Sequence, residues 1–171
     1  MSYATAALAT YANMLGTLDN LVNKASAHAA GDALLQARLA DDMFPLHAQI
    51  RVTIAQVLLA LDRIGNLGLK IDDSEIADFA DARARIGKAK DLVAATDPAS
   101  LLAPDAKVEF DLPNGMAFAM QAHEYVRDWA MPQFYFHLVA AYSILRKEGL
   151  EIGKADYVGY MMRYAAKMPG G

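Results

Sequence analysis

The chain has 171 residues, 55% apolar and 21% charged, which suits a single domain over 1–171 with a sizeable core and excludes a disordered polymer. Sixteen Lys and Arg against twenty Asp and Glu leave a net charge of -4. With no basic run there is no footprint for a phosphate backbone, so nucleic acid is not an expected partner. The absence of cysteine excludes a disulfide, a thiolate nucleophile and a Cys-ligated metal, so any metal would have to be held by His, Asp or Glu.

The first charged side chain is Asp19, so the N-terminus lacks the basic start of a secretory signal. The uncharged stretch 129–145 is shorter than the roughly 20 residues that span a bilayer, and it carries Pro132, Gln133 and His137. The expectation is a cytoplasmic protein without a membrane span.

In chain order, Leu8, Tyr11, Leu15, Leu18 and Val22 alternate by threes and fours and predict a first helix over 3–27. A turn at 30–32 and a short segment with Leu34, Leu35 and Leu39 lead to Asp41 and Asp42. Either aspartate is expected to cap the second helix, with Pro45 in its first turn. That helix has the clearest pattern in the chain: Met43, His47, Ile50, Ile54, Val57, Leu61 and Ile64 form a seam, which ends near Gly65 and Gly68. The Asp72-Asp73-Ser74 cluster reads as the cap of a third helix that carries Ile76, Phe79, Ile86, Ala89 and Val93 and ends about Ala95.

Pro98 and Pro104 break the helical pattern. Alternation over 107–112, the turn signal Pro113-Asn114-Gly115 and a return over 116–120 predict a small β-hairpin. A helix resumes near Gln121, is interrupted around Ala130 by the proline that follows, and restarts at Pro132 to run to about Lys147. Asp156 sits near the start of a last short helix with Tyr157, Tyr160, Met161 and Tyr164. Long helices joined by turns, each with an apolar face, make this an all-α helical bundle.

Two of the four histidines fall on faces that the periodicity marks as buried. His47 lies in the seam of the second helix; His137 shares a face with Phe134, Ala141 and Leu145, and Gln133 stands one turn before it. A ligand pocket of His47, Gln133 and His137 is therefore expected inside the bundle. A catalytic zinc site needs three protein ligands, and a His pair at i and i+4 is a common source of two. Here that spacing yields only Gln133 and His137, and an amide oxygen is a poor ligand for zinc, iron or nickel. His123, Glu124 and Asp128 are the available third ligands, with nothing in the pattern selecting one. His28 suits the dipole at the end of the first helix, Asp156 reads as an N-cap and Arg146 as a bridging cation. Trp129, Phe134, Tyr135, Phe136 and Tyr142 supply core or dimer-interface area. Phosphate-binding glycine loops and G-x-S-x-G are absent, and Ser143 has no histidine at helix-pair spacing.

The run Pro132-Gln133-Phe134-Tyr135-Phe136-His137, followed by Ala141-Tyr142-Ser143-Ile144-Leu145-Arg146, Gly149 and Gly153-Lys154-Ala155-Asp156-Tyr157, closely resembles a bacterial domain-of-unknown-function family of the DinB/YfiT-like superfamily. Asp42-Met43-Phe44-Pro45-Leu46 with Gln49-Ile50 is similar to that family's second block. The resemblance implies a DinB-like four-helix bundle of up-down-down-up type with short extra helices, usually a homodimer. Its superfamily includes metalloenzymes, some of them thiol-dependent transferases, that present one His from the second helix and a His-x-x-x-His pair from a later one. By position His47 matches the first and His137 the last, while Gln133 stands where the middle histidine would be. That departure implies a site that has lost its metal or been rebuilt for another ligand, such as a small molecule.

The expected function is accordingly non-catalytic, or an activity that the chain does not reveal, with no cofactor. Two enzymatic readings stand beside it. One is a metal-dependent enzyme with a divalent Zn, Ni or Fe on His47 and His137, completed by a thiol sulfur or water. The other is a metal-free acid-base site with His137 as base.

Overall fold

The computed structural model describes residues 1–166. Ser2 starts the fold, its hydroxyl accepting from the Thr5 N–H at 3.1 Å, and α1 (Tyr3–Ser26) follows with Leu8, Tyr11, Leu15, Leu18 and Val22 all buried. A 3-10 turn, Gly31–Gln36, tucks Leu34 and Leu35 into the core.

α2 (Leu46–Gly65) begins differently from expectation. Asp41 and Asp42 are exposed in a turn, and Pro45 is the last non-helical residue, at φ -67 and ψ 165. The proline ring disfavours helical geometry at Phe44, so the helix cannot start from either aspartate. The first free N–H, that of Leu46, is satisfied by the Ala37 carbonyl at 2.9 Å instead of a side-chain cap. The helix stops at Asn66, which adopts the left-handed conformation that closes helix C-termini (φ 50, ψ 44).

α3 (Phe79–Ala95) also starts later than its sequence cluster suggests. Asp72 folds onto its own neighbour, accepting from the Ser74 N–H at 3.0 Å and its hydroxyl at 2.6 Å, an Asx turn that competes with capping. Asp78 caps the helix instead, accepting from the Asp81 N–H at 2.7 Å.

The hairpin forms where the alternation places it. β1 (Lys107–Asp111) pairs antiparallel with β2 (Ala117–Gln121), Phe110 opposite Phe118 and Val108 opposite Met120. Gly115, at φ 85, makes the turn. The aromatic face of the hairpin packs on Trp129, whose ring lies 5.1 Å from Phe110 and 4.9 Å from Phe118. Arg63, near the end of α2, sits 4.0 Å over the Phe110 ring and donates to the Tyr125 hydroxyl at 3.1 Å, which ties the hairpin to the end of the bundle.

After α4 (Ala122–Glu124) the chain makes a π-helical turn, Tyr125–Ala130, and passes without a break into α5 (Met131–Lys147). The expected interruption at Ala130 is absent: Ala130 and Met131 are both helical, at φ -64, ψ -46 and φ -66, ψ -46. Pro132 has no N–H to bond backward and would crowd the carbonyl one turn earlier. The wider turn, in which the Met131 N–H reaches Val126, accommodates both effects. α6 (Lys154–Tyr157) closes against α1, where the Thr17 hydroxyl donates to the Tyr157 carbonyl at 2.8 Å. Asp156 accepts from the Gly153 N–H and from Lys24, and Arg146 donates to the Ile152 carbonyl, so both charges hold structure.

Cross-contacts give the helix directions. Asp19 and Asn23 on α1 meet Lys90 and Arg83 on α3, so these two are antiparallel. Gln49 and Arg63 on α2 meet His137 and Tyr125, so α2 is antiparallel to α5. The 66–78 segment runs back along α2: the Leu69 N–H bonds Asp62 near its end, and Glu75 lies 3.5 Å from His47 near its start. α2 and α3 are therefore parallel, and the four long helices follow an up-down-down-up course. Among the described residues no helix is long and apolar enough to cross a membrane.

Tyr11 is fully buried, edge-on to Phe134 at 5.3 Å, and its hydroxyl finds no partner among the described residues. A buried unpaired hydroxyl is costly, so Tyr11→Phe is expected to stabilise the fold by on the order of 1 kcal/mol. The check is a higher urea midpoint at unchanged m-value.

Candidate functional site

The most buried polar cluster lies between α2 and α5. His137 is only 9% exposed, and its Nδ1 lies 2.8 Å from Oε1 of Gln49, itself 1% exposed. The Gln49 amide is oriented by its other end, where Nε2 donates to the Phe44 carbonyl at 3.3 Å. With the amide oxygen facing the ring, Nδ1 must carry the proton and donate, leaving Nε2 as the basic nitrogen. Among the described residues that Nε2 makes no hydrogen bond. Thr53, one turn after Gln49, donates to the Gln49 carbonyl at 2.7 Å and is fully buried. The Phe44 ring stacks over the imidazole at 6.3 Å, nearly parallel, while remaining half exposed itself.

His47 is on another face of the same helix. Its Nε2 lies 3.5 Å from Oε1 of Glu75, which also accepts from Gln36, and its Nδ1 is buried with no partner among the described residues. Gln133 is half-buried one turn before His137 and makes no hydrogen bond among the described residues. No hydrogen bond joins His47, Gln133 and His137 to one another. The polar partner of His137 is Gln49, which periodicity did not single out. The available signal was the pair of polar residues Gln49 and Thr53, spaced one turn apart on α2 among the buried Leu46, Ile50, Ile54 and Val57.

The remaining sequence candidates are occupied locally. His123 Nδ1 hydrogen-bonds the Pro104 carbonyl at 2.8 Å, Glu124 accepts from the Gln121 N–H, and Asp128 pairs with Arg127. His28 accepts from the Ala30 N–H at the end of α1. Ser143 lies in a shallow apolar groove with Leu39, Phe136 and Val139. Among the described residues, no three His, Asp or Glu side chains converge as a metal-binding group. The described residues thus do not assemble the three protein ligands of a catalytic zinc centre.

Four long helices in this order, with the end hairpin, define a DinB-like helical bundle. The chain belongs to the family described as Domain of unknown function (DUF1993), which matches residues 3–158. It is similar to the crystal structure of a DinB family member protein from Shewanella denitrificans, at 29% identity and a TM-score of 0.78, over 96% of this chain and 92% of that one. Among curated proteins none matches the chain.

Burial lowers the pKa of His137, and burial is also the largest influence on His47, whose pKa is lowered despite the opposing charge of Glu75. In the unfolded chain both titrate near about 6.5. A histidine with a depressed folded pKa contributes fully above that value and loses its contribution as pH falls through the folded pKa. Unfolding free energy is therefore expected to drop as pH is lowered from 7 to 5, and to drop less steeply in a His47→Leu, His137→Leu double variant. Denaturant titrations at each pH provide the comparison.

Proposed function

We propose that this protein is a homodimeric, non-catalytic helical bundle that holds no resident metal. In this reading the polar site at His137, with Gln133 beside it and His47 at the start of α2, receives a small polar molecule. The observation that carries it is the Gln49–His137 hydrogen bond: an amide takes one ring nitrogen, leaving Nε2 as a single neutral acceptor with an amide, not a second imidazole, one turn away. One imidazole nitrogen can accept a hydrogen bond from a ligand but holds a transition metal poorly by itself. The dimer is supported by the apolar side chains left exposed near this site, Leu39 at 39%, Phe44 at 53%, Phe136 at 60% and Val139 at 45%.

Protein purified without a metal-affinity tag is expected to contain zinc, nickel and iron well below one equivalent by elemental analysis. One equivalent that disappears in a His47→Ala, His137→Ala double variant would establish the metal-dependent enzyme instead. In sedimentation the wild type is expected at about twice the 18.5 kDa of one chain, and a Phe136→Glu, Val139→Glu variant at the single-chain mass. A wild type that sediments as one chain at micromolar concentration overturns the dimer.

A further inference from the structure

A second recess, unrelated to the His137 site, opens between α2, α3 and the segment that returns along them. It encloses about 320 Å³, within the range of small-molecule pockets. Its floor is apolar: Ile54 and Leu58 from α2, Ala89 and Leu92 from α3, with Leu69 from the returning segment as one wall. Its rim is cationic, with Arg51, Lys70, Arg85 and Lys88 against the single carboxylate of Asp72. Arg85 is already committed, ion-paired to Asp81 at 2.9 Å and to Asp72 at 3.4 Å. Arg51, Lys70 and Lys88 have no carboxylate within ion-pair distance among the described residues.

Three unpaired cations around one recess are unexpected on a chain of net charge -4. A cleft with low-dielectric walls focuses such charge and concentrates anions at its mouth. The apolar floor separately favours removal of a hydrocarbon body from water. Neither property alone defines a ligand, but together they select a molecule with an anionic head and a short apolar tail. A phosphate or sugar would leave the floor unfilled, and a neutral hydrocarbon would leave the cations unused.

We propose that the α2–α3 recess binds a small amphipathic carboxylate, with Arg51 and Lys88 holding the carboxylate and Ile54, Leu58 and Leu92 covering its aliphatic or aromatic body. This site is independent of the reading of the His137 cluster.

Octanoate, octanol and octylamine share a tail and differ in head charge, and titration calorimetry of each against the full chain separates head from tail. Octanoate is expected to bind saturably at one site per chain, octanol at least about tenfold more weakly, and octylamine not at all. An Arg51→Gln, Lys88→Gln variant should lose about tenfold in octanoate affinity while its octanol binding stays unchanged, since charge-assisted contacts of this kind carry that much. Ala55→Trp, which fills the recess from α2, should abolish binding of both. Because Arg51 and Lys88 make no ion pair, the charge variant keeps its fold, as its melting temperature will report, and it decides the question even if Ala55→Trp does not fold. The proposal is overturned if octanoate shows no saturable binding at millimolar concentration, if octylamine binds as well as octanoate, or if the charge variant binds octanoate like the wild type.

Discussion

α2 is packed by α5 along one face and by α3 with the 66–78 segment along another, so its rotation about its own axis decides where each polar group it carries is placed. Gln49 points into the α5 seam; Arg51, Ala55 and Leu58 face the α3 recess; His47 turns toward Glu75. A rotation by one residue, about 100°, would drive Arg51 toward the buried seam and pull Gln49 out of it. Ile50, Val57, Leu61 and Ile64, each no more than 1% exposed, resist that rotation through packing. The Gln49–His137 bond resists it through polar satisfaction, because breaking the pair strands two buried groups whose desolvation is not repaid. Packing alone tolerates some apolar exchange, whereas the hydrogen bond specifies one setting.

This two-sided burial also explains what the sequence does and does not disclose. Four-three periodicity located α1, α2 and α3, because apolar residues must recur on whichever face is covered. The hairpin was legible for a similar reason: alternation at Val108 and Phe110 and a Pro-Asn-Gly turn admit few other shapes. On a helix covered from two directions, however, the apolar stripe is broad, and its period does not say which polar residue within it meets which neighbour. His47 fits the seam arithmetically yet faces Glu75, while Gln49, about 200° around the helix from His47, meets His137. Helix starts were similarly underdetermined. Asp41, Asp42, Asp72 and Ser74 all have cap chemistry, but the choice depends on Pro45 and on the Asx turn at Asp72, both of which act through backbone geometry.

The π turn before α5 is a related case of a local penalty resolved by tertiary packing. Pro132 would ordinarily end the helix that precedes it, and propensity alone favours a break. Trp129 and Tyr125, however, are pinned by the hairpin and by Arg63, and Phe134 is pinned against Tyr11. The chain between these anchors has to remain helical, and widening one turn satisfies that requirement without leaving the proline ring against a carbonyl. The extra residue in that turn also contributes to setting the face of α5 on which His137 arrives.

The same hydrogen bond that fixes α2 determines the chemistry available to His137. An acceptor on Nδ1–H is what orients an imidazole in metal centres, so the Gln49 amide leaves the Nε2 lone pair with a defined direction. What such a centre would further require is a second and third basic donor around that lone pair, and the residue one turn earlier on the same helix is the amide of Gln133. Burial meanwhile lowers the pKa of the ring, which favours the neutral form in which Nε2 is an acceptor. A neutral, oriented acceptor at Nε2 would meet a donor group of the small polar molecule proposed for this site. By contrast, the α2–α3 recess offers cations around an apolar floor. The two sides of α2 therefore favour opposite ligand polarities, and a molecule suited to one is poorly suited to the other.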